Sequence, residues 1–323
     1  MKLTVTRAGF LTTVQDLGRV GFREFGVSLG GALDTHAMRV ANTLVGNNET
    51  DAGLEITLGG LRTRFEDTRV IAWSGGDFDV RFGSTSLPQG HAMLAGAGDE
   101  LTINQPKIGC RSWLAISGGI DVPIILRSRS TDLRASFGGL DGHALRDGDH
   151  VPLGKFRRSK TAETGKISSW SAPVDWTTTA KEKPTLRVVR SADWDRFNAS
   201  ALQQFTSETF SVSQDSDRMG VRLEGPQLKR TEDVDLVSET VAPGTIQVPR
   251  SGNPILLLGD CQTIGGYPKI AHVITVDLPL AAQLRTGDAV RFREISLAGA
   301  HRLFLQREQE FERFRIGLSL RVP

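Results

Sequence analysis

The sequence predicts a mostly β fold built as two domains. Three observations predict it: thirty-five glycines, short β-branched and apolar runs that recur along the chain, and turn signals every ten residues or so. Length agrees, since 323 residues exceed what one ordinary core serves. Between about residues 154 and 184 the chain reads Lys-Phe-Arg-Arg-Ser-Lys-Thr and then Thr-Thr-Thr-Ala-Lys-Glu-Lys, with little to bury. The expected organisation is therefore a domain at 1–155, a linker at 156–184 and a domain at 185–323.

Taken in chain order, the first clear element is a helix over about 34–45. Ala37, Val40, Ala41 and Leu44 form an apolar stripe at helical spacing, Asp34 can cap the start, and Gly46-Asn47 can close the end. Val70-Ile-Ala-Trp73, Trp113-Leu-Ala-Ile116, Thr185-Leu-Arg-Val-Val189, Ile255-Leu-Leu-Leu258 and His272-Val-Ile-Thr-Val276 read as strands. Two more helices are expected near 194–205 and 302–314. The halves share a plan in which a Gly-Asp turn precedes a strand: Gly98-Asp-Glu-Leu101 and Gly148-Asp-His-Val151 in the first, Gly287-Asp-Ala-Val290 in the second. A duplicated barrel and coincidence both account for it.

Composition narrows the function. A formal net charge of +2, with both signs well mixed, leaves no electrostatic footprint for nucleic acid or an anionic membrane. Cys110 and Cys261 lie far apart and imply neither a disulfide framework nor a cysteine metal site, and reduced thiols are expected. The opening Met1-Lys-Leu-Thr-Val-Thr-Arg7 lacks the apolar stretch of a signal peptide, so a cytoplasmic location is expected. The chain has no Gly-x-x-x-x-Gly-Lys-Ser/Thr phosphate loop, no Gly-x-Gly-x-x-Gly after a strand, no His-Glu-x-x-His and no Gly-x-Ser-x-Gly elbow. Its six histidines are dispersed without ligand spacing. No metal and no cofactor bound by this chain alone are expected.

The densest chemistry lies in Asp260-Cys-Gln-Thr-Ile-Gly-Gly-Tyr-Pro-Lys269, which follows the apolar run and holds the one tyrosine. Gly265 and Gly266 let backbone approach a ligand, Pro268 stiffens the exit, and Tyr267, Gln262, Thr263, Lys269 and Asp260 supply donors, acceptors and both charge signs. That suits a small polar substrate; a glycine-rich β-turn with incidental polar residues is the alternative. A second constellation runs from Gln15-Asp-Leu-Gly-Arg19 through Gly30-Gly-Ala-Leu-Asp34 to Asn42. Arg19 can grip a carboxylate in two prongs, while Asp34 and Asn42 can meet amide or ureido groups, or serve only as a cap and a loop tie. A third is Asp215-Ser-Asp-Arg218-Met-Gly220, either a self-bonded turn or a loop offering Arg218 to an anion. Gln247 lies in an extended segment between Pro243 and Pro249. Glu55 is a turn charge or a site carboxylate.

These segments, in this order, resemble a known family. Val14-Gln-Asp-Leu-Gly-Arg19, Gly30-Gly-Ala-Leu-Asp34, Ala41-Asn-Thr-Leu-Val-Gly-Asn47, Leu54-Glu-Ile56, Ser128-Arg-Ser-Thr131, Ser216-Asp-Arg-Met-Gly220, Gly244-Thr-Ile-Gln-Val-Pro249 and Gln262-Thr-Ile-Gly-Gly-Tyr-Pro-Lys269 are similar to the biotin-dependent carboxyltransferase family, also called the allophanate hydrolase subunit 2 family. Its stand-alone bacterial members are the C subunits of 5-oxoprolinase. The likeness spans nearly the whole chain apart from the linker and the tail after about residue 300. Val221 and Ile264 depart from the usual pattern and leave the charged positions intact.

The resemblance implies a mainly β protein of two cyclophilin-like β-barrel domains with few helices. It implies partners in a hetero-oligomer, namely homologues of the B and A subunits of 5-oxoprolinase, in an ATP-dependent complex that opens 5-oxoproline to glutamate. In another branch the same module moves a carboxyl group from carboxybiotin to urea, and some relatives are regulatory antagonists of a kinase inhibitor. On the enzyme reading Lys269 and Arg218 stabilise developing negative charge, Tyr267 and Gln247 hold the substrate, Asp260 orients Lys269, and Gln262, Thr263, Gly265, Gly266, Arg19, Asp34 and Asn42 complete the substrate site.

Overall fold

Two long antiparallel strands, Arg69–Phe82 and Glu100–Ile116, organise the first of two units. Their register shifts near Gly75, Asp77 and Phe78, so the pair bends. One end of Glu100–Ile116 pairs with Leu61–Phe65, the other with Gly53–Thr57. A single strand thus joins both parts of a ten-stranded sheet. Leu61–Phe65 alternates buried and exposed side chains, which puts one face on the core and one in water. Leu3, Val5, Phe65, Ile71, Leu101, Ile103, Leu114 and Val151 fill that core.

The computed structural model describes residues 1–156, 164–177, 181–232 and 236–320. The first unit comprises Met1–Val20 and Gly30–Ala180, the second Gly21–Leu29 and Lys181–Pro323. Part of the stretch expected as a linker is therefore built into the first unit. Ile167–Ser171 is a strand paired with His91–Ala95, and Ser168 Oγ accepts from Ala92 N–H at 3.1 Å. Ala172 and Trp176 are buried, and the Trp176 ring meets His36 edge-on at 5.4 Å. A stretch that is polar on average carries just enough apolar anchors, well spaced, to dock.

The helix expected over 34–45 is Thr35–Leu44, with Asp34 accepting from Ala37 N–H at 2.9 Å as its cap. Its stripe residues Ala37, Val40, Ala41 and Leu44 are all buried.

The second unit closes into a seven-stranded barrel: Thr185–Arg190, Lys269–Val273, Thr245–Gln247, Ile255–Leu257, Gly220–Glu224, Phe210–Val212 and Ala289–Glu294. Parallel pairing of the first and last of these closes the ring. Phe205, Phe210 and Phe292 form a buried aromatic cluster, Phe205 stacked on Phe292 at 4.7 Å. Phe205 comes from the helix Ala199–Ser207, capped by Asn198, and the helix Leu297–Ser319 is capped by Ser296. Both expected helices therefore exist, the latter longer at each end than the expected 302–314. Among the described residues no helix is long and apolar enough to cross a membrane.

The three Gly-Asp turns are the same object. Gly98, Gly148 and Gly287 have φ of 88°, 91° and 86°, a region where a side chain is strained. In each, the following Asp carboxylate accepts from the N–H three residues back: Gly96 to Asp99, Arg146 to Asp149 and Arg285 to Asp288, at 2.7 to 3.0 Å. A strand then starts.

Candidate functional site

The segment 260–269 leaves the barrel after Ile255–Leu257 and returns as Lys269–Val273. Midway, Ile264–Gly265 pairs with the short strand Glu239–Thr240, so backbone bonds brace the loop. Its first charge, Asp260, is gripped by Arg218: Nε donates to Oδ2 at 2.9 Å and Nη2 to Oδ1 at 3.2 Å. The next residue, Cys261, is fully buried beside Val241 and Leu257. Burial pushes its thiol up from the ordinary range, and the neighbouring Arg23 guanidinium only partly offsets this. The loop's sulfur is therefore held as a neutral thiol, which is poor as a nucleophile.

Gln247 is buried on the strand Thr245–Gln247, and its side-chain amide faces the loop. Its Nε2 donates to the Tyr267 carbonyl at 3.2 Å, and Gln262 Nε2 donates to its Oε1 at 3.4 Å. A Cβ on Gly265 would lie 2.9 Å from Gln247 Nε2, so glycine is what lets the loop backbone lie against that amide. Thr263 is buried and its carbonyl accepts from Val241 N–H, while Gly266 passes Leu236 and Ser238 closely. Tyr267 is half-exposed, its ring offered to solvent at the loop's edge.

Lys269 opens the barrel strand with a nearly buried side chain. Its ammonium pairs with Glu239 and lies 3.6 Å from Asp193 Oδ2. Asp193 Oδ2 also accepts the Lys269 backbone N–H at 3.0 Å, and Arg196 Nε donates to Oδ1 at 3.1 Å. The expectation that Asp260 orients Lys269 is corrected here: Asp260 is occupied at both oxygens by Arg218, and Asp193 with Glu239 takes that part. Arg218 is likewise committed to Asp260 rather than presented alone to an anion. His272, further along the same strand, sits 3.2 Å from Thr245 Oγ1 through Nδ1. Burial, and then the Lys269 charge, hold its pKa below the ordinary 6.5.

Arg19, Asp34 and Asn42 belong to the first unit. Arg19 is fully buried, donates to the Ser130 carbonyl at 2.5 Å and stacks over Phe137 at 4.4 Å. Asn42 is also buried, donating to the carbonyls of Asp51 at 2.8 Å and Glu49 at 3.3 Å. Asp34 caps its helix. Each of the three thus makes at least one hydrogen bond within the first unit, as a buried polar group needs. Asp16 is the hub of the same network. Its carboxylate accepts from Ser128 Oγ and Ser130 Oγ at 2.6 Å each and from the N–H groups of Gly18 and Arg129. Glu55, for which the sequence allows two roles, is buried and accepts from Leu33 N–H at 2.7 Å.

The structure thus brings together Arg218, Asp260, Gln247, Gln262, Gly265, Tyr267 and Lys269 in the second unit. Sequence reading missed Asp193, Glu239 and Arg196, which carry no motif and lie far from the loop in sequence. A cavity of about 410 Å³ in the first unit, lined by residues including Trp73, Asp77, Gln89 and Lys107, holds none of the expected site residues.

Residues 25–294 match the carboxyltransferase domain, subdomain A and B. The chain is 40% identical to the C subunit of 5-oxoprolinase from Escherichia coli strain K12, over 96% of each chain. It is 33% identical to the protein of the same name from Haemophilus influenzae, over 94% of each. Among solved structures, the urea carboxylase of Kluyveromyces lactis superposes with a TM-score of 0.90 at 29% identity, covering 97% of this chain and 29% of that one.

Proposed function

The chain belongs to the carboxyltransferase domain family, and from that membership we propose that it is the C subunit of a multi-chain 5-oxoprolinase, which opens the cyclic amide of 5-oxoproline to glutamate. The observation that carries this reading is the 40% identity, end to end, with the Escherichia coli protein of that name. The site chemistry supports it. Opening a lactam places negative charge on the carbonyl oxygen, and a fixed cation in a nearly dry setting lowers that barrier. Lys269 is such a cation, held by Asp193 rather than left to find its place. Gln247 and Gln262 form a pair of amides suited to a planar amide, with Tyr267 beside them. Arg218 acts through Asp260 and fixes the entry of the loop. With Cys261 buried and its thiol pushed up, the polar groups are what the loop offers to a substrate.

ATP is used by the assembled complex and is bound by a partner chain, since this sequence carries no phosphate loop. The partners are homologues of the A and B subunits of 5-oxoprolinase. The test is reconstitution: the chain mixed with both of these homologues from the same organism, ATP and 5-oxoproline should release glutamate, and the chain alone should release none and hydrolyse no ATP. Failure to associate with any homologue of the B subunit would remove this reading. The superposition on urea carboxylase favours a second one, carboxyl transfer from carboxybiotin to a urea-like amide. It predicts turnover of urea in the same assay once a carboxylated biotin carrier is supplied.

A further inference from the structure

Two carboxylates share the Lys269 ammonium, and they differ in kind. Asp193 is nearly buried and has two further duties, accepting the Lys269 N–H at 3.0 Å and Arg196 Nε at 3.1 Å. Its place is fixed. Glu239 is 66% exposed at its side chain, and Lys269 is its ion-pair partner. An exposed carboxylate on a single partner is weakly held and exchanges readily with another anion.

Charge and position say what that anion is. Lys269 and Arg196 supply two positive charges, Asp193 and Glu239 two negative ones, so the cluster is neutral as it stands. Moving Glu239 out to water leaves one net positive charge at a nearly buried ammonium, which a mono-carboxylate restores to neutrality. Glu239 also sits directly opposite Gly265 in the two-stranded pairing, and Gly265 lies against the Gln247 and Gln262 amides. A small molecule whose carboxylate takes over the Glu239 position would therefore lie beside the strand pairing that braces the loop at Gly265.

We propose that the Lys269 ammonium is the specificity-determining site for a substrate carboxylate, and that Glu239 fills this site until a lactam bearing a carboxylate takes its place. This rests on the reading above that segment 260–269 serves a small amide substrate. A neutral amide such as urea or an unsubstituted lactam has no charge to pair with Lys269, so the ammonium selects 5-oxoproline over both.

The test is calorimetric titration of the full chain with 5-oxoproline, 2-pyrrolidinone and urea, for the wild type, Glu239→Gln, Glu239→Asp and Lys269→Gln. The wild type should bind 5-oxoproline and bind the two neutral amides at least tenfold more weakly. Glu239→Gln should tighten 5-oxoproline about two- to fivefold, the range of an exposed ion pair, and leave the neutral amides unchanged. Glu239→Asp should behave as wild type, and Lys269→Gln should lose 5-oxoproline. In the reconstituted complex Glu239→Gln should lower KM for 5-oxoproline. Binding of 2-pyrrolidinone as tight as 5-oxoproline, no binding of 5-oxoproline, or weaker binding in Glu239→Gln would each overturn the proposal. The binding pattern without turnover in the complex would sink the 5-oxoprolinase reading and leave this one standing.

Discussion

Arg218 holds Asp260 by two parallel hydrogen bonds, at 2.9 and 3.2 Å, and the Asp260 N–H donates back to the Arg218 carbonyl at 3.1 Å. Side chain and backbone together tie the entry of the site loop to the start of the strand Gly220–Glu224. Both side chains are largely removed from water. The pair is therefore a structural rivet, and its loss should move the loop before it touches any chemistry.

Arg218→Ala should lower stability by about 3 kcal/mol, the usual cost of leaving one partner of a largely buried ion pair behind. Arg218→Lys should recover only part of this, because an ammonium cannot make two parallel bonds. Urea unfolding of Arg218→Ala, Asp260→Asn and the double variant checks it. The double variant should be more stable than the sum of the two losses predicts, and simple additivity would show that the pair is not coupled.

Much of this architecture was legible in the sequence, for identifiable reasons. The Thr35–Leu44 helix announced itself through its stripe and its Asp34 cap, and four of the five named strands through short apolar runs, because both signals are local; the fifth, expected over 272–276, is strand only as far as Val273 and turns into a 3-10 helix at Thr275–Asp277. Gln262, Gly265 and Lys269 stood out because glycines and polar groups crowd one loop. What stayed hidden is non-local. Asp193 is 76 residues from Lys269 and is brought to it only by barrel closure. Glu239 reaches it through a two-residue strand with no apolar pattern. The assignment of Asp260 to Lys269 followed sequence proximity, whereas the barrel pairs Asp260 with Arg218 across 42 residues.

Lys269→Ala should reduce kcat of the assembled complex at least a hundredfold. A fixed cation at developing charge is typically worth about 3 kcal/mol or more. Tyr267→Phe should cost less than tenfold, since a half-exposed hydroxyl competes with water. Steady-state rates on complexes of matched composition decide the matter, and wild-type kcat in Lys269→Ala would take this residue out of the chemistry.

Gly265→Ala probes the loop without touching charge. Its new Cβ would fall 2.9 Å from Gln247 Nε2 and 3.4 Å from Gln262 Nε2, so both amides must move. Stability should drop by only about 1 kcal/mol, because the crowded atoms are side-chain ends. Activity should fall by at least tenfold, since an ångström of misplacement in positioning groups is felt strongly. Full activity with an unchanged thermal midpoint would mean that the amide pair does not contact substrate.

His272 gives the fold a pH dependence with a defined direction. Burial first, and the Lys269 charge second, hold its folded-state pKa below the ordinary 6.5. The unfolded chain titrates near that ordinary value, so as pH falls past about 6.5 the unfolded state takes the proton before the folded one. This contribution to stability is whole above pH 6.5, declines as pH falls toward the depressed folded value and levels off below it. His272→Gln should flatten the stability profile in that window. Lys269→Met removes one of the two causes, so an NMR titration of the imidazole in that variant should show the pKa rising toward its ordinary value. A wild-type His272 that titrates at or above 6.5, or a Lys269→Met variant with no upward movement, would show that the ammonium does not act on this ring.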